Sequence, residues 1–137
     1  MTIKARLEDV LTAFKSIRSA GTASSHIGRC EKLSEAGQKA EALAVARAGL
    51  EVLHAPHVRR HEPPEATGIL MLTINVEHLA AELGEPGAPF VDLRSAVEFL
   101  RQMPEHGTGT VVDVRKEWLP FLEARLATVA GSGQGQG

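Results

Sequence analysis

The sequence predicts an all-α fold: a compact bundle of about six helices. Apolar residues recur at spacings of three and four along most of the 137 residues, which places them on one face of a helix. Stretches rich in glycine, proline or serine repeatedly interrupt this pattern, as short loops between helices do. A chain of this length suits one domain. We therefore predict a single helical domain over residues 1–130 and a flexible Gly/Ser/Gln tail over residues 131–137.

The first two predicted helices are separated by a break of small residues. Apolar positions over residues 3–17 form one stripe of an amphipathic helix. The break over residues 19–25 contains Gly21, which suits a helix C-terminus, and serines that suit the next N-cap. We expect the second helix over residues 25–36, ending at Gly37.

The third and fourth predicted helices form the centre of the bundle. The third covers residues 38–53, and its small residues at spacings of four and three allow a neighbouring helix to pack closely. They are Ala42, Ala46 and Gly49. The fourth covers residues 64–83 and is apolar around much of its circumference, which is typical of a central helix. A strand over residues 69–76 is the alternative, but no partner strand presents itself.

Two further helices complete the predicted bundle. Asp92 is expected to cap a helix over residues 93–103. The last helix opens at Thr110 or Asp113, and Pro120 within it predicts a kink or a restart. The fourth and last helices carry more apolar surface than a small bundle must bury, so homo-oligomerisation is possible.

Composition and charge narrow the functional classes. A net charge of −2 provides no basic field for nucleic acid. No run approaches the roughly 18–20 apolar residues of a membrane span. The single cysteine cannot form an internal disulfide, and the N-terminus lacks the apolar core of a signal peptide. We expect a cytoplasmic protein, and its bias towards arginine, alanine and glycine favours a GC-rich bacterial genome.

Residues 35–53, EAGQKAEALAVARAGLEVL, resemble the second half of a tetratricopeptide repeat. In that family a glycine ends the first helix of a pair, and small residues in the second helix let the pair pack. Gly37, Ala42, Ala46 and Gly49 occupy those places. The preceding helix departs from the pattern, because His26 and Arg29 stand where bulky apolar residues are usual. The resemblance covers about residues 24–53 and implies a surface that binds peptides or partner helices.

The segment HAPHVRRHEPP, residues 54–64, concentrates chemically active side chains. Three histidines have spacings of three and four, and three imidazoles suffice for a zinc site with an open position. They are His54, His57 and His61. Pro56 opposes a continuous helix here, so a solvated connector is the alternative. Arg59 and Arg60 suit a phosphate or an acidic partner.

One further pair of residues suggests chemistry. His26 and Cys30 lie four apart on the second helix, which would suit an activated nucleophile or half a metal site. No third group joins them at helical spacing, so we expect a buried thiol beside a polar histidine.

We therefore expect a small adaptor or regulatory domain that binds a partner protein or peptide, rather than an enzyme. No catalytic residue, metal or cofactor is assigned. The expected contact surface combines the exposed side of the second helix with the arginine loop: Ile27, Glu31, Glu35, Arg59 and Arg60. The alternatives are a small metal-binding protein or enzyme that uses the three clustered histidines, and a DNA-associated regulator, against which the acidic balance argues.

Overall fold

The computed structural model describes residues 21–62 and 64–131. Within these ranges the protein has five α-helices, preceded by a short 3-10 turn, and no strand. The helices are α1 Ser24–Glu35, α2 Lys39–Val52, α3 Glu65–Leu83, α4 Phe90–Arg101 and α5 Thr110–Gly131. The all-α prediction is confirmed for this part of the chain, with five helices instead of about six. The helix predicted over residues 3–17 lies outside the described residues, as does the tail beyond Gly131.

Helix α3 is the centre of the described bundle. It contacts each of the other four helices, whereas the remaining contacts run mainly between helices that are consecutive in the chain. Every residue from Thr67 to Ala80 is buried, as expected for a helix that is apolar around its circumference. The segment 69–76 lies entirely within α3, so the helix prediction is confirmed and the strand alternative is wrong.

Small side chains let α2 approach its neighbours closely. Ala42 and Ala46 are fully buried, and Gly49 is buried between two helices. A Cβ added at Gly49 would lie 2.8 Å from Cδ1 of Leu72 on α3 and 2.9 Å from Cβ of His26 on α1. The close packing predicted from these three positions is confirmed.

The predicted helix ends are mostly correct, because they depend on local backbone geometry. Gly37 and Gly84 follow α1 and α3 with φ values of +80° and +68°, in the left-handed region that glycine adopts without strain. Helix α5 opens at Thr110 and continues through Pro120 without a restart. Since proline has no N–H, the carbonyl of Lys116 receives no hydrogen bond from the residue four positions later.

The expected N-cap of α4 is wrong. The helix begins at Phe90, with Pro89 at the N-cap position, so Asp92 lies inside the first turn. Its side chain caps no backbone N–H there, because both of its oxygens are held by side chains from another part of the chain. An acid in the first turn still interacts favourably with the helix dipole.

A buried carboxylate fixes the loop that leads into α4. Glu77 on α3 is almost fully buried, and its Oε1 accepts a hydrogen bond of 2.7 Å from Nε of Arg125 on α5. Its Oε2 accepts from the backbone N–H of Ala88. A Cβ at Gly87 would overlap Oε2 of this carboxylate. Glu77 therefore ties α3, the loop and α5 together, and it places the start of α4.

Candidate functional site

The connector between α2 and α3, residues 53–62, is a chain of short turns and not a helix. Backbone N–H groups of His54, Val58 and Glu62 each donate to the carbonyl three residues earlier. The helical register that would have placed the three histidines on one face does not form. Pro56 lies within this run of turns, where its fixed φ is tolerated.

Asp92 holds the connector against α4. Its side chain is fully buried, and its Oδ1 accepts a hydrogen bond of 2.6 Å from Nη2 of Arg60. Its Oδ2 lies 2.8 Å from Nε2 of His54. An ionised carboxylate only accepts, so Nε2 carries the proton in this contact. We call these three residues, His54, Arg60 and Asp92, the Asp92 anchor.

Arg60 also closes the connector on itself. Its Nη1 donates to the carbonyl of Leu53 at 3.0 Å, at the C-terminal end of α2. The guanidinium thus bridges the end of one helix and a buried carboxylate in the first turn of another. Charge-assisted hydrogen bonds of this kind are short and directional, so they fix the connector's path.

Two depressions flank the Asp92 anchor. One, of about 190 Å³, lies between the connector and α4, and its lining includes Arg60, Ile69 and Phe99. The other, of about 300 Å³, lies between α2 and the loop before α4, and its lining includes Leu50 and His54. Each depression is therefore lined by one member of the anchor, Arg60 in the first and His54 in the second.

The structure separates the residues expected to form the contact surface. Glu35 is exposed at the end of α1, and the side chain of Arg59 is 81% exposed. Ile27 and Glu31, in contrast, are only 6% and 8% exposed. Their expected exposure is corrected, because they lie on the face of α1 that packs into the bundle. These residues do not form one continuous exposed patch with the connector.

The adjacent Arg59 and Arg60 also differ in exposure. Only 17% of its side chain is exposed, and the guanidinium is engaged by Asp92. Among the described residues the guanidinium of Arg59 makes one ion pair, 3.6 Å from Oε2 of Glu62, and both partners are exposed. An exposed pair of this kind contributes little to stability. Of the two arginines, Arg59 is the one whose charge is available to a partner.

The thiol of Cys30, four residues after His26, lies in the core. Cys30 is fully buried, and burial raises the pKa of its thiol to about 11. The thiolate is the reactive form, so burial and the raised pKa both lower the reactivity of this side chain at neutral pH. The expected buried thiol is confirmed.

Clustered metal ligands are not found in residues 21–62 and 64–131: no group of three or more His, Cys, Asp or Glu side chains there is placed to hold an ion. His54 contacts Asp92, while His57 and His61 are exposed. Within the same part of the chain, no helix has the length and apolar character needed to cross a membrane.

Sequence reasoning missed Asp92 and Glu77 as buried anchors, although a signal was present. Asp92 lies four residues before Ala96, on the apolar face of α4, and Glu77 lies within the predominantly apolar α3. An acid in register with a buried stripe needs a buried partner. That partner was not identifiable, because Arg60 and Arg125 lie 32 and 48 residues away in the chain.

Comparison with known proteins adds no relative. No family model, curated protein or solved structure gave a significant match to this chain.

Proposed function

We propose that the chain is a small cytoplasmic adaptor or regulatory domain that binds a partner protein or peptide, and that the connector forms part of its contact surface. The single observation that carries this proposal is the contrast between adjacent arginines. Arg60 is fixed by a fully buried carboxylate, and Arg59, next to it, is 81% exposed. A charged group on a restrained loop loses less conformational freedom on binding than one on a mobile loop.

The partner's contact with the connector is proposed to be acidic. The guanidinium of Arg59 can form two parallel hydrogen bonds with a carboxylate, and its present contact with Glu62 is long and exposed. The depression of about 190 Å³ that the adjacent Arg60 and His61 line also contains the half-buried Phe99. Aromatic side chains and arginine are enriched where protein interfaces gain most of their binding energy.

We also propose that α1 and α2 form a tetratricopeptide-like helix pair. Support comes from the buried small residues of α2 and from Gly37. This glycine has a positive φ and lies in the short turn between the two helices. In such a pair the exposed end of α1, near Glu35, would contribute to partner binding.

The test is capture of partners by single charge-reversal variants. Arg59→Glu should lose the proteins that the native chain captures from its host's lysate, identified by mass spectrometry. Arg94→Glu is the matched control, because Arg94 is also exposed and also makes one ion pair within its own segment. Arg60 is unsuitable for this test, since its replacement removes the partner of a buried carboxylate.

The outcome is interpretable only for folded variants, so circular dichroism and thermal unfolding of both accompany the capture. Capture of the same proteins by Arg59→Glu and by the native chain would remove the connector from the contact surface. If Arg59→Glu and Arg94→Glu both lose the same proteins, charge reversal at any exposed arginine weakens capture. That result would remove the specific role of Arg59.

A further inference from the structure

We draw no further inference here: the strongest candidate, the outward stripe of α2 formed by the exposed Ala40, Ala44 and Ala48, is an apolar helix face, and nothing in the structure shows what covers it.

Discussion

Replacing Arg60 with alanine tests the Asp92 anchor directly. The substitution leaves Asp92, which has no exposed surface, with His54 as its remaining partner. Removing one member of a buried ion pair typically destabilises a protein by about 3–5 kcal/mol, because the other charge stays buried. The lower end applies here, since Oδ2 keeps its contact with His54. Loss of the hydrogen bond to the Leu53 carbonyl adds about 1 kcal/mol.

These contributions amount to a loss of about 4 kcal/mol in the free energy of unfolding. For a chain of 137 residues this corresponds to a fall in Tm of about 10–15 °C. The assay is urea unfolding followed by circular dichroism, with a thermal scan of the same samples. Arg59→Ala is the matched control. Its side chain is 81% exposed, so its free energy of unfolding should change by no more than about 0.5 kcal/mol.

A double-mutant cycle separates the ion pair from packing of the arginine stem. In Asp92→Ala no buried charge remains, and Arg60 is near enough to the surface for its guanidinium to reach water. Arg60→Ala should therefore cost only about 1 kcal/mol in the Asp92→Ala background, for the lost hydrogen bond to the Leu53 carbonyl, giving a coupling energy of about 3 kcal/mol. A loss of stability in Arg60→Ala no larger than in Arg59→Ala, or additive effects in the cycle, would refute the anchor as a source of stability.

Three further predictions concern the core. Gly49→Ala should destabilise the protein by about 1–3 kcal/mol, measured by urea unfolding, because the added Cβ overlaps α3. Gly28→Ala on α1 has open space around it and should stabilise the protein by up to about 1 kcal/mol. Equal effects of the two substitutions would contradict the close packing at α2. Arg125→Ala should cost about 3 kcal/mol, since it leaves the carboxylate of Glu77 buried with only a backbone donor, and a change within error of zero would exclude that role. Burial raises the pKa of Cys30 from 9.0 to about 11. The contribution of its protonated thiol to the free energy of unfolding is therefore complete below pH 9 and is lost as the pH rises to 11. Cys30→Ala should lose less stability than the native chain over this interval, as measured by urea unfolding.

The helices were predictable because their signals are local. The periodic apolar residues of α3, the small residues of α2 and the glycines at 37 and 84 each act through neighbours within a few positions. The start of α4 was missed for the same reason. Helix capping is inferred from the residues next to Asp92 in the sequence. Its carboxylate instead accepts a hydrogen bond from Arg60, which is distant in the sequence.

The candidate site was predictable only in part. The segment with Arg59 and Arg60 was identified from composition, but its two arginines have different roles, which depend on which one faces a buried acid. The expected surface on α1 was wrong at Ile27 and Glu31, because both lie on the same buried face of the helix as Cys30.

The position of α3 in the chain has a consequence for biosynthesis. Its apolar surface is produced early, yet it is covered partly by α4 and α5, which leave the ribosome only after it. Until α5 emerges, the nascent chain exposes the apolar segment over residues 67–80. Folding of this domain is therefore completed only after α5 has been made, and chains that stall during translation would depend on chaperones to avoid aggregation.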